Sequence, residues 1–200
     1  MVSHNKSGGK ETGLIADCSR PISRFFTRAD HFALLQHCPC QEWRTILTLA
    51  RYGGVRCPCE LLQLRWSDID WNGKRMSVPN PKWSNSPSGR LVPLFPEVRR
   101  ELQLLFDLCR DKKFVINLFP NRRKPRLATQ FVKIASAAGI EHRGRPLLDM
   151  RSSRFCELIA KFGNFYASIW LGVEPQGNEK FLFRIPDQII QQAANWEGGT

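Results

Sequence analysis

Three stretches of the chain set cations where they could hold a phosphate. Arg56 follows a Gly53-Gly54 turn in the run RYGGVR. Arg151 and Arg154 stand three residues apart in LLDMRSSRFCEL, a spacing that points both in a similar direction from a helix. Arg122, Arg123 and Lys124 form a basic loop with Arg126. A guanidinium is permanently charged and offers a planar fork of donors that suits phosphate oxygens. Lysine is a point charge that can also give up a proton. Lys82 lies in a polar, loop-like stretch that ends at Gly89, and Arg90 follows it. Each of these cations has a plainer reading as a solvated surface charge. The whole chain tilts the choice. Lys and Arg number 30 against 18 Asp and Glu, giving a net charge of +12 and a pI near 9.8. A surplus that large favours a polyanionic partner, and nucleic acid is the commonest one.

Other chemistries fit less well. The cysteines number seven, an odd count with no secretory context, so reduced thiols are expected. Cys38-Pro39-Cys40 and Cys57-Pro58-Cys59 could supply four thiolates to zinc, but Cys-x-Cys is a poorer match than the usual wider spacing. No metal site is expected. His142, in a Gly/Pro-rich loop, reads as an exposed histidine rather than a catalytic acid. No apolar segment approaches bilayer length, and the N-terminus has no signal-peptide core, so a cytoplasmic location with no membrane partner is expected.

The elements that would position these cations are mostly helical. Residues 1–26 are Gly, Ser, Lys and Asn rich and read as a flexible tail, with one domain over 27–200. Thr27 can cap a helix with Asp30 three places on. Trp43, Ile46, Leu47 and Ala50 recur at helical spacing before Gly53-Gly54 ends that helix. Pro58 can open a third helix carrying Leu61, Leu62 and Leu64. Asn72-Gly73 is a hairpin turn signal, with strands expected over 74–78 and 90–94. Pro96 starts a strongly amphipathic helix, and further helices are expected near 127–138, 151–162, 165–171 and 186–195. Trp66, Trp71 and Trp83 lie along the hairpin region and read as packing residues. The total is a mainly α fold with a small antiparallel β-sheet.

Four segments, in series over about residues 27–195, resemble the catalytic domain of the tyrosine recombinases (the phage integrase family). RYGGVRCPCELLQLRWSDIDW is similar to the family's first arginine motif, with Arg56 as the arginine. VPNPKWSNSPSGRLVPLFPEV looks like the hairpin whose loop holds a lysine, here Lys82. LLDMRSSRFCEL is similar to the His-x-x-Arg box, with Arg151 as its arginine. IWLGV, residues 169–173, looks like the later Leu-Gly-His or Leu-Gly-Trp segment. The resemblance implies the recombinase fold and phosphodiester chemistry. A tyrosine would attack DNA, two arginines would clamp the phosphate oxygens, and a lysine would protonate the leaving oxygen. It implies no cofactor and no metal.

The pattern breaks at three positions. Leu148 stands where the box has histidine, Val173 where histidine or tryptophan follows Leu-Gly, and Leu182 where the tyrosine belongs. Phe181 and Phe183 flank it, so a slip of one residue does not restore a hydroxyl. The chain's two tyrosines, Tyr52 and Tyr166, fall elsewhere. The family's N-terminal DNA-clamping domain is also expected to be absent. The expectation is a DNA-binding, integrase-like protein of DNA recombination and integration with a degenerate site, unable to cleave. Its catalytic-position residues are Arg56, Lys82 and Arg151. Its further DNA contacts are Arg90, Arg122, Arg123, Lys124 and Arg154. Its partners are double-stranded DNA and intact recombinase subunits, with no small-molecule substrate. The alternatives are an active recombinase using Tyr166 or a partner's tyrosine, and a decayed mobile-element relic.

Overall fold

The computed structural model of the protein describes residues 24–79, 89–119, 121, 127–142, 144–173 and 187–197. Helix α1 (Arg28–Gln36) leads into α2 (Gln41–Arg51), and a short 3-10 turn covers Leu61–Gln63. Strands β1 (Ile69–Asp70), β2 (Arg75–Val78) and β3 (Arg90–Pro93) follow. The chain then runs through α3 (Pro96–Cys109), α4 (Leu127–Ala137), α5 (Pro146–Leu171) and α6 (Asp187–Ala194). The strands form one antiparallel sheet in the order β1-β2-β3, with Met76 opposite Ile69 and Val92.

Helix α2 is the centre of the packing and touches α1, α3 and α5, while α5 and α6 both pack on β3. The α2 face that carries Ile46, Leu47 and Ala50 is fully buried. Trp170 of α5 is fully buried too, set edge-on to Phe95 and Phe162. The capping box at Thr27 and Asp30 is present, with the Thr27 side chain accepting from the Asp30 N–H at 3.1 Å. The hairpin turn falls at Asn72-Gly73, where an Asp70 carboxylate oxygen accepts the Gly73 N–H at 2.8 Å. Trp66 and Trp71 pack on Phe106, as the packing reading requires, while Trp83 lies outside the described residues. Among the described residues no helix is long and apolar enough to cross a membrane.

Three boundaries differ from the sequence reading. Phe26 belongs to the core rather than to a tail. Its N–H donates to Ser153 Oγ at 2.9 Å and its carbonyl accepts from Arg51 Nε at 2.9 Å, so both backbone groups are satisfied deep inside. The segment after Pro58 forms turns and a single 3-10 turn, not a helix. Helix α5 begins at Pro146, ahead of the start expected near 151, with proline at N1 where a missing N–H does no harm. The two helices expected near 151–162 and 165–171 are continuous but for a kink at Gly163, whose φ of 82° a side chain would disfavour.

Candidate functional site

Three separate chain segments converge at the C-terminal end of α5. The first is the turn after α2, where Gly54 adopts φ +60°. A Cβ at Gly54 would come within 2.8 Å of Leu171 Cγ, so glycine allows the turn to lie directly on α5. The second is the start of β3, at Arg90. The third is the end of α5, closed by Gly172 at φ 62° with the Val173 N–H reaching back to the Ser168 carbonyl at 2.9 Å. A Cβ on Gly172 would sit 3.0 Å from Arg90 Cδ.

This convergence gathers Arg56, Arg90 and Arg151. Arg56 Nη1 donates to Glu60 Oε1 at 2.6 Å, and its Nη2 donates to the Gly172 carbonyl. Arg90 grips both Glu60 oxygens, at 2.5 and 2.7 Å, and donates through Nε to the Trp170 carbonyl at 2.7 Å. Arg151 Nε donates to the Gly54 carbonyl at 3.0 Å, and its Nη2 donates to the Leu171 carbonyl. The last carbonyls of a helix lack intrahelical partners and carry its partial negative charge. Here three guanidinium groups take up that role.

Glu60 joins Arg56 to Arg90. Its side chain is fully buried. Burial by itself raises a carboxyl pKa, but hydrogen bonding to Arg90 and its charge, with the Arg56 N–H and charge, hold this carboxyl below the ordinary glutamate value. Arg56 and Arg90 share the Glu60 carboxylate, two guanidinium cations meeting one buried anion. Exposure grades the three. The Arg56 side chain is 22% exposed and that of Arg90 10%, while Arg151 is buried at 4%. Arg56 therefore faces outward, and Arg90 and Arg151 hold the frame. The arrangement can bind an oxyanion at Arg56 and stabilise negative charge there.

The other sequence-predicted residues fall in several places. Lys82, Leu182, Arg122, Arg123 and Lys124 lie outside the described residues. Leu148 is partly buried in the first turn of α5, and Val173 packs partly buried at its far end, so apolar groups hold both positions where the resemblance expects a ring nitrogen. Arg154 needs correction as a surface phosphate contact. It is fully buried, with its guanidinium carbon 4.2 Å from the Phe95 ring centre and 4.7 Å from that of Trp196. Three residues along α5 rotate it away from Arg151 and into the core, where it donates to Glu157 Oε2 at 3.0 Å. Arg51, also fully buried, donates to both Glu157 oxygens.

Tyr52 is walled in by cations, with Arg51 4.9 Å and Arg154 5.3 Å from its ring centre, and burial pushes its hydroxyl pKa up. Tyr166 stacks on Trp170, with ring centres 5.8 Å apart. His142 sets its ring edge-on to Phe131 at 5.0 Å and is partly buried rather than exposed. The two Cys-Pro-Cys pairs do not converge. Among the described residues no three ligating side chains gather, and burial pushes the Cys38 thiol up to about 12.

The sequence reading missed Glu60 and Arg51. Glu60 had a signal, because it is the lone charge inside the run CPCELL. A carboxylate in such a run needs a cationic partner.

The fold has solved counterparts. The chain aligns with the XerA recombinase structure at a TM-score of 0.62 and 18% identity, covering 78% of this chain and 58% of that one. It aligns with the lambda integrase catalytic core at 0.53 and 21%, covering 76% of this chain and all of that one. A third match is XerH site-specific recombinase bound to its difH substrate, at 0.56 and 14%, covering 88% of this chain and 51% of that one. The matched region thus spans little more than half of the XerA and XerH chains. No protein-family model and no curated protein matches the chain.

Proposed function

We propose that this chain, which has the tyrosine-recombinase catalytic-domain fold, is a DNA-binding protein of recombination and integration that holds the phosphate backbone without cutting it. The observation that carries this reading is the joining of Arg56, Arg90 and Arg151 around Glu60 and the end of α5. Two arginines of the cluster share one carboxylate, with Arg56 the more exposed of them, on a chain of net charge +12. Backbone phosphates are the ligand this chemistry fits, and contacts to them position a protein on a duplex without reading its sequence.

Cleavage needs a nucleophile as well as a phosphate clamp. Leu182 offers no oxygen at the tyrosine position, and Leu148 and Val173 offer no proton relay. The chain therefore acts as a backbone-binding subunit. Intact recombinase subunits are its natural company, because the cut would have to come from them. The solved XerH structure is of a complex with difH, and one lambda integrase structure is of a dimer bound to a core site.

A nicked suicide duplex tests the reading. The expected result is a mobility shift in native gels that vanishes completely in denaturing detergent. A covalent protein–DNA adduct would overturn the absence of cleavage. Loss of that adduct in Tyr166→Phe would then identify the nucleophile.

A further inference from the structure

Helix α3 buries Val98, Leu102 and Leu105 on its inner side. Its outer side carries two neighbouring rows of residues spaced four apart. One row is Arg99, Gln103 and Asp107, the other is Arg100, Leu104 and Leu108, and all six residues are exposed. Leu104 is 47% exposed and Leu108 71%, the latter the highest value among the large apolar side chains of the described residues. Single exposed leucines are ordinary. These two adjoin on one row, and Phe32 of α1, 66% exposed, lies on the same side, sharing a recess wall with Arg100. An apolar patch rimmed by charge is the mark of a docking surface.

The charges along this face are ordered. Arg99 and Arg100 stand towards the start of α3 and Asp107 towards its end, with Leu104 between them. At 1.5 Å per residue, Arg100 and Asp107 are about 10 Å apart along the helix axis. Outside them the signs reverse. Glu197 borders Arg99 and Arg100, and Arg110 follows Asp107. Asp111 and Lys112 lie beyond, paired with each other at 3.3 Å. From one end to the other the face runs acid, base, leucine, acid, base. Turned end for end, that order sets each charge opposite its complement. Two copies of one face, related by a twofold axis, meet in that reversed sense. The self-complementary order therefore favours a second copy over a protein of another kind.

We propose that two copies of this chain pair antiparallel through the outer face of α3, about a twofold axis beside Leu104, with Arg100 of each against Asp107 of the other. The Leu104 side chains of the two copies meet at the axis. Leu108 of each is covered by the aliphatic stem of Arg99 of the other. The antiparallel sense also brings opposite ends of the two helix dipoles together. The Arg100 side chain is 66% exposed and 3.8 Å from Glu101 Oε1, so it is placed to reach outward.

Sedimentation equilibrium of the whole protein, without DNA, over a concentration series tests the pairing. No DNA is present, so the outcome does not depend on the phosphate-binding reading. A reversible monomer–dimer equilibrium is expected. Arg100→Glu and Asp107→Arg should each weaken the dimer at least tenfold, because each sets like charges together twice across the axis. Combining the two changes should restore the dimer, because the pairs form again with their signs exchanged. Leu108→Gln should weaken it about tenfold, since every dimer loses two covered leucines. All three side chains are exposed, so the variants should keep the fold, which a cooperative melt checks. A monomer at every concentration would overturn the proposal. A dimer unchanged by Leu108→Gln, or a combined variant no stronger than either single one, would overturn it too, by assigning the contact to another face.

Discussion

Glu60→Gln is expected to lose about 3–5 kcal/mol of stability, the usual size of the penalty when one partner of a buried ion pair is removed. The carboxylate accepts from the Arg56 N–H at 2.7 Å, from Arg56 Nη1 and from two nitrogens of Arg90. Glutamine keeps the shape but removes the charge. The guanidinium groups of Arg56 and Arg90 would then meet across a neutral side chain at a buried position. Few single changes reach that size, and a domain of marginal stability has little to lose.

Acid should reveal the same interaction. Arg90 and Arg56 hold the Glu60 carboxyl below the ordinary value of 4.5 in the folded protein. Its contribution is therefore complete above that ordinary value and disappears as pH falls through the lowered one. Urea unfolding of the parent should weaken steeply from pH 5 towards pH 3. The variant should be weak at pH 7 already and lose less over that interval. A variant within 1 kcal/mol of the parent, with the same acid limb, would show that the carboxylate does not hold the cluster.

The second large effect belongs to Arg51→Ala. Arg51 is fully buried and holds three things at once. Its Nε donates to the Phe26 carbonyl, its Nη1 and Nη2 hold the Glu157 carboxylate, and its guanidinium lies 4.9 Å from the centre of the Tyr52 ring. Truncation orphans a buried carbonyl and leaves Glu157 with Arg154 as its cation among the hydrogen-bonded partners. The expected loss is about 3–5 kcal/mol by urea unfolding. Glu157→Ala alone should also destabilise. The double variant should lose clearly less than the two single losses combined, because the second removal no longer breaks the shared pair. Strict additivity would contradict the pairing.

The legible parts of this fold were those governed by local chemistry. A Thr-x-x-Asp cap, an Asn-Gly turn and a proline at the first turn of α3 each satisfy their own backbone groups within a few residues, and each is present. The parts that were not legible depend on partners far along the chain. Phe26 reads as tail because the stretch before it is rich in Gly, Ser, Lys and Asn, yet it is held by Ser153 and Arg51. Arg154 shares a helix and nearly a face with Arg151, but one group reaches the Gly54 turn and the other the aromatic ring of Trp196. Helical spacing cannot tell which side of a narrow angle meets the core. At the site, the motif picked out Arg56 and Arg151. Glu60 showed only as a carboxylate in an apolar run, and the carbonyls of Trp170, Leu171 and Gly172 were invisible, because their role arises only when α5 ends beside the α2 turn.

As a working phosphate-binding surface, the arginine cluster would meet DNA at its outer edge, Arg56. Fluorescence anisotropy with a short duplex across a salt series tests it most directly, comparing the parent with Arg56→Ala. Arg151 is too buried to serve as the probe, since its loss would disturb the fold. Binding at low salt is expected to weaken steeply as salt rises, with log affinity falling by about 0.9 per phosphate contacted. Arg56→Ala should bind more weakly to every duplex, with a salt slope smaller by about one. No binding at low salt by a protein that melts cooperatively, or an Arg56→Ala variant with unchanged affinity and slope, would contradict it.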